Sequence, residues 1–189
     1  MVTPSTTLPD VLYPLSMFRI ARGLPTLKFE AVEGSDVPQP YTDLLVHEGD
    51  MTSRLEDFHG GPIRVRRLNS SNDGRAYFRE VVLETVEGAK PVEYGAIEIS
   101  LANLPEELRD EIVAAQRPLG GILNEHRLSY SSSPRAFLKI TADDPIREAM
   151  GLEGEHVLYG RSNEITGFNG ESYARIVEIL PPAKQGSGG

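Results

Sequence analysis

AYFREVVLETVEGAKPVEYGAIEISL, residues 76–101, reads as two strands joined by a tight turn. Ala76–Val86 and Val92–Leu101 are rich in aromatic and β-branched residues, which suit a pleated surface. The connecting VEGAK suits a hairpin. Side chains alternate between the faces of a strand, so the phase of each row can be read directly. Tyr77, Arg79, Val81 and Leu83 share one face, and the other carries Glu80 and Glu84. An arginine therefore stands in an apolar row. In the second strand Gly95, Ile97, Ile99 and Leu101 share a face. A glycine in that row leaves room where a side chain would stand.

Further along the chain the pattern recurs. His156–Thr166 and Glu171–Leu180 form a hairpin across GFNG. In Ser172–Leu180 the residues Ala174, Ile176, Glu178 and Leu180 share a face, with Arg175 on the other, so a glutamate also stands in an apolar row. Ile63–Leu68 alternates, and Leu128–Ile140 reads as extended, with Pro134 forcing a break or bulge. Between the strands lie helices. Asp50 caps MTSRLEDF, which puts Met51, Leu55 and Phe58 on one face, and His59-Gly60-Gly61-Pro62 stops it. Pro105–Gln116 is opened by a proline, carries acids in its first turn and repeats Leu108, Ile112 and Ala115. LGGILNEH (119–126) and residues 144–150 read as short helices, and the N-terminal third as short helices and loops. Strands adjacent to strands, with helices inserted, predict an α+β fold with a largely antiparallel sheet of six strands.

Burying an isolated charge costs several kcal/mol, so inward-facing charges are normally paired or held for a ligand. Arg79 and Glu178 either pair with each other, or lie in half-buried rows, or form the two ends of a pocket. Such a pocket would have a cationic end, an acidic end and apolar walls. It suits a ring with a carboxylate at one end and a hydroxyl at the other.

Composition bounds the rest. The chain has 189 residues, 39% hydrophobic and 25% charged, enough for one domain with its own core. Nothing repeats, and no linker divides it; the reading is a domain over residues 10–182, with flexible ends at 1–9 and 183–189. With no cysteine there is no disulfide or thiolate chemistry, which fits a reducing cytoplasm. The four histidines lack metal-site spacing, so no metal is expected. A formal charge of −9 disfavours nucleic acid, though a small anion needs only one or two placed arginines. No run approaches the ~18 apolar residues of a membrane span, and MVTPSTTLPD does not read as a signal peptide. No Gly-x-Ser-x-Gly elbow points to a hydrolase.

Five segments, in order over roughly residues 44–182, resemble the chorismate lyases: LLVHEGDMTSRLEDF, YFREVVL, RPLGGILNEHRL, LYGRSN and ARIVEILPP. A wider chorismate-lyase-like set follows Pro-(Leu/Ile)-Gly with Glu-x-Arg, here Glu125 and Arg127. The resemblance implies a six-stranded antiparallel sheet with helical flaps around an internal pocket. It implies conversion of chorismate to 4-hydroxybenzoate and pyruvate, with no metal or cofactor. By matching positions, Arg79 grips the ring carboxylate, the main-chain N–H groups of Met51 and Leu119 add donors, and Glu178 holds the ring hydroxyl. Arg79 and Glu178 become the catalytic pair, and Gly95 and Gly120 line the substrate site. Gly120 and Gly121 also suit a turn or helix start. Many chorismate lyases of the ubiquinone pathway carry an arginine after the glycine matching Gly95, and often a lysine where this chain has Ser53. Ala96 and Ser53 here remove positive charge near the expected second carboxylate, for which Arg127 or Arg161 would have to substitute. The alternatives are a non-catalytic effector module of the same fold, holding an aromatic acid, and a related enzyme making another hydroxybenzoate.

Overall fold

A computed structural model describes residues 10–183. The flexible ends expected at 1–9 and 183–189 lie outside these residues, apart from Ala183. The hairpin of residues 76–101 forms as read, with β3 at Ala76–Thr85 and β4 at Pro91–Ser100. Its turn places Gly88 and Ala89 at positive φ, 80° and 49°. The other strands are β1 (Phe29–Val32), β2 (Ile63–Asn72), β5 (Tyr130–Thr141), β6 (Val157–Gly167) and β7 (Ser172–Leu180). They make one sheet in the order β1-β5-β6-β7-β4-β3-β2, antiparallel at every pairing. Pro134 lacks the N–H a ladder needs, and the β5–β6 register shifts between Pro134 and Ala136.

The sheet has seven strands, not six. The extra one, β1, falls in the third of the chain read as helices and loops. Its four residues are largely exposed and carry no alternating apolar pattern. It exists because β5 offers an open edge, with Phe29 opposite Ile140 and Val32 opposite Phe137.

The helices are α1 (Leu15–Ala21), α2 (Tyr41–Leu45), α3 (Met51–His59), α4 (Glu106–Ala114), α5 (Leu119–Glu125) and α6 (Asp144–Met150). Asp50 caps α3, accepting from the N–H groups of Thr52 (2.9 Å) and Ser53 (3.1 Å), and Gly60 ends it at φ 72°. Both faces of the sheet are covered. On one, Val82, Tyr94, Leu138 and Val177 pack with Leu15 and Phe18 of α1 and Ile146 of α6. On the other, two apolar clusters lie side by side. Ile97, Ile99 and Ala174 pack under α4 and α5, and Val81, Leu83 and Leu180 pack under α2 and α3. The candidate site lies where these two clusters meet.

Because both faces are buried, Glu80 and Glu84 do not point into solvent. Glu80 accepts from Tyr94 Oη (2.5 Å), Asn69 Nδ2 (2.7 Å) and Arg22 Nη1 (3.0 Å). Glu84 sits between Arg64 and Arg66. Their partners come from β2, β4 and the end of α1, so the charge of each carboxylate is balanced by remote sequence.

Gly95 is in the expected row, but for a different physical reason. A Cβ there would lie 2.3 Å from the Val177 carbonyl oxygen of β7. Gly160 of β6 does the same from the other side, 2.3 Å from the carbonyl oxygen of Glu178. The two glycines let neighbouring backbones close on β7 at these residues. Gly95→Ala is therefore expected to cost roughly 2–3 kcal/mol, read as a lowered urea midpoint at unchanged m-value.

Candidate binding site

The cavity is floored by β3, β4, β6 and β7 and roofed by the N-termini of α3 and α5. Met51, Arg79, Gly95, Leu119, Gly120 and Glu178 all line it. The roof is tight: Asn124 Nδ2 of α5 donates to Asp50 Oδ2 (3.0 Å), and a Cβ on Gly120 would come 2.3 Å from Asp50 Oδ1. Gly120 thus allows the two helices to touch. Met51 and Leu119 are the first residues of their helices, where N–H groups lack an intrahelical acceptor. The Asp50 cap takes the N–H groups of Thr52 and Ser53 and leaves that of Met51. Free space remains between this roof and the sheet.

Arg79 is 2% exposed and forms no ion pair among the described residues. Its Nη1 and Nη2 reach the carbonyls of Ile112 and Arg117 at the long distances of 3.5 and 3.4 Å, and its Nε has no partner. Burial lowers its pKa to about 10, helped by Arg67 and opposed by Tyr77. The guanidinium is still charged at neutral pH, with no anion to offset its desolvation.

Glu178 does not pair with Arg79. It accepts from Arg161 Nε at 2.5 Å, across the register that sets Arg161 opposite Glu178. Arg161 is fully buried, and its Nη1 donates to the carbonyls of Leu45 (3.3 Å) and His47 (3.0 Å), which fastens the segment before α3 to the sheet. Its Nη2 has no partner among the described residues. Of the readings open from sequence, pairing of Arg79 with Glu178 is therefore not what forms: Glu178 lines the cavity as half of a buried ion pair with Arg161.

The sequence reading missed Glu93, which is 5% exposed and lines the same cavity. Its Oε2 has no partner. Burial first, then the nearby Glu178 and Asp50, hold its carboxyl well above the usual carboxylate range, against the pull of Arg161. It stands two residues before Gly95 in the same row, and that phase was the available signal. Asn163 and Ser132, hydrogen-bonded to each other at 2.9 Å, also line the cavity. Ala96 borders the cavity but belongs to the apolar cluster on the opposite face, and Ser53 donates to Asp50 outside the cavity. Neither supplies a cation. Among the described residues no cluster of His, Cys, Asp or Glu could hold a metal, and no helix is long and apolar enough to cross a membrane.

No protein-family model matches the chain, and no curated protein matches its sequence. Solved structures do. PhnF from Mycobacterium smegmatis aligns with a TM-score of 0.54 at 9% identity, over 88% of this chain and 92% of that one. The effector domain of PhnF aligns with a TM-score of 0.53 at 10% identity, over 72% and 90%. The chain shares the fold of that effector domain. A "possible transcriptional regulator YydK" from Bacillus subtilis aligns with a TM-score of 0.48 at 10% identity, over 63% of this chain and 58% of that one.

Proposed function

We propose that this domain binds a small organic acid in the cavity, as an effector-type module, with Arg79 holding the carboxylate. One observation carries the reading: a buried guanidinium that faces an internal cavity with no anion beside it. Such a group is costly in the empty protein and is offset only when an anion arrives. Apolar walls of Leu83, Ile97, Ile165 and Ile176 suit a ring or a branched chain. The shared fold with an effector domain supports the same reading.

Turnover of chorismate is the second reading. It is favoured by the five lyase-like segments, whose matched positions surround one cavity. Against it stands the charge of the far end, where Arg161, the one guanidinium there among the described residues, is already paired with Glu178. Chorismate carries a second carboxylate, and neither Ala96 nor Ser53 meets it. The test uses thermal unfolding with 4-hydroxybenzoate and, separately, ultraviolet absorbance after addition of chorismate. A ligand at 100 times its Kd stabilises by about 2.7 kcal/mol, which moves the midpoint by several degrees. Stabilisation without aromatic product is the expected outcome. Accumulating product establishes the lyase instead, and no stabilisation by any small carboxylate removes the binding reading.

A further inference from the structure

The layers that cover the two faces of the sheet part at one end of it, where β4 begins and β7 finishes, and leave a groove of about 680 Å³. That is the size of a small-molecule site. Its floor is made by Leu44 of α2, Leu55 of α3, Val92 of β4, Met150 of α6 and Leu180 of β7, all buried. Phe58 of α3 stands at the rim, 53% exposed. The groove shares no lining residue with the internal cavity.

The polar groups of the groove are of two kinds. Some are already spent. Tyr41 Oη donates to the Pro181 carbonyl (3.0 Å) and accepts from the Ala183 N–H (2.7 Å), and His156 Nε2 is hydrogen-bonded to the Glu153 carbonyl (2.7 Å). The others are Lys90 and His59, and neither enters an ion pair among the described residues. Burial, then the charge of Lys90, lowers the pKa of His59, and no carboxylate acts on it. The one acid lining the groove, Glu153, is exposed on the loop after α6. In a chain of formal charge −9, an apolar trough thus carries a cationic corner.

We propose that this groove is a second binding site, for the free anion of a medium-chain aliphatic acid, with its carboxylate on Lys90 and His59 and its chain along the apolar floor. The charge selects an anion and the floor selects methylene groups. A peptide fits poorly, because Pro40, Pro91, Pro181 and Pro182 give the walls no N–H for its main chain. Residues 184–189, KQGSGG, bring no apolar side chain to fill the floor.

The test is calorimetric titration of the full chain with octanoate, decanoate and decyltrimethylammonium, each below its micelle concentration. A buried methylene is worth about fourfold in affinity, so decanoate is expected to bind about tenfold tighter than octanoate. Decyltrimethylammonium is expected to bind at least about tenfold more weakly than decanoate, and Lys90→Glu, at an exposed position, to weaken decanoate by a similar factor. Arg79→Met alters only the internal cavity and should leave decanoate affinity within about twofold. Decanoate binding that is lost in Arg79→Met and kept in Lys90→Glu belongs to the internal cavity and overturns the second site. Equal binding of anion and ammonium, or binding of neither, overturns it as well. So does a chain that sediments as a dimer and becomes a monomer on Phe58→Glu, since a second copy then closes the groove. Carboxylate binding at Arg79 is tested separately, with 4-hydroxybenzoate.

Discussion

Arg79→Met is expected to abolish binding of small carboxylates and, at the same time, to make the empty protein more stable. The sign follows from the linkage. The pKa of Arg79 falls to about 10 on folding, so the charged form is disfavoured in the native state at every pH below that value. Between the ordinary guanidinium pKa and about 10, the penalty is on the order of 3 kcal/mol. It is fully present at neutral pH and is relieved only as pH rises above about 10. Methionine keeps most of the apolar stem and removes the charge. Lost packing and the two long bonds to Ile112 and Arg117 offset part of the gain, so a net rise of about 1–2 kcal/mol is expected. Urea unfolding without ligand measures the stability, and titration of 4-hydroxybenzoate measures the loss of at least 100-fold in affinity. A variant that is less stable and still binds would show that Arg79 is structural.

Arg161→Met has the opposite sign and is the larger effect on folding. It leaves Glu178 and Glu93 as two buried carboxylates with no counter-charge and frees the carbonyls of Leu45 and His47. Removing one partner of a buried pair costs about 3–5 kcal/mol. The loss is expected to depend on pH. Arg161 pulls the raised Glu93 carboxyl down, so without it Glu93 stands higher still above its unfolded value, and stability present at low pH is lost as pH rises through the native value. The deficit should therefore be smaller at pH 5 than at pH 8. Adding Glu178→Gln to Arg161→Met should recover part of it at pH 8. A deficit of under 1 kcal/mol at pH 8, or one that grows on acidification, would show that the pair does not hold this end of the cavity.

The parts of the fold legible in sequence were those set by local periodicity. Arg79, Val81 and Leu83 line the cavity, and Tyr77 packs beside it on the same face, because period-two alternation gives the row one face. The same alternation carries Glu178 inward. β1 was not legible, since four exposed residues carry no pattern and only the open edge of β5 makes them a strand. Glu93 is not legible as an inward group, since a glutamate next to a strand start ordinarily faces water; here it shares one cavity with Asp50, Met51 and Thr52, which are distant in sequence. Arg161 lies in a row with Asn163 and Tyr159, too polar to mark a buried face. Glu80 and Glu84 are buried for a similar reason, because arginines elsewhere in the chain reach them.

The two glycines that close on β7 have a practical bearing on redesign. They seat the backbones of β4 and β6 against β7 at Val177 and Glu178, so Glu178 is positioned by main-chain packing as well as by Arg161. A library that randomises Leu83, Ile97 and Ile176 while sparing positions 95 and 160 would vary the width of the binding slot and keep its charged termini in place. Preference for bulkier or slimmer acids could then be screened without dismantling the recognition of either end.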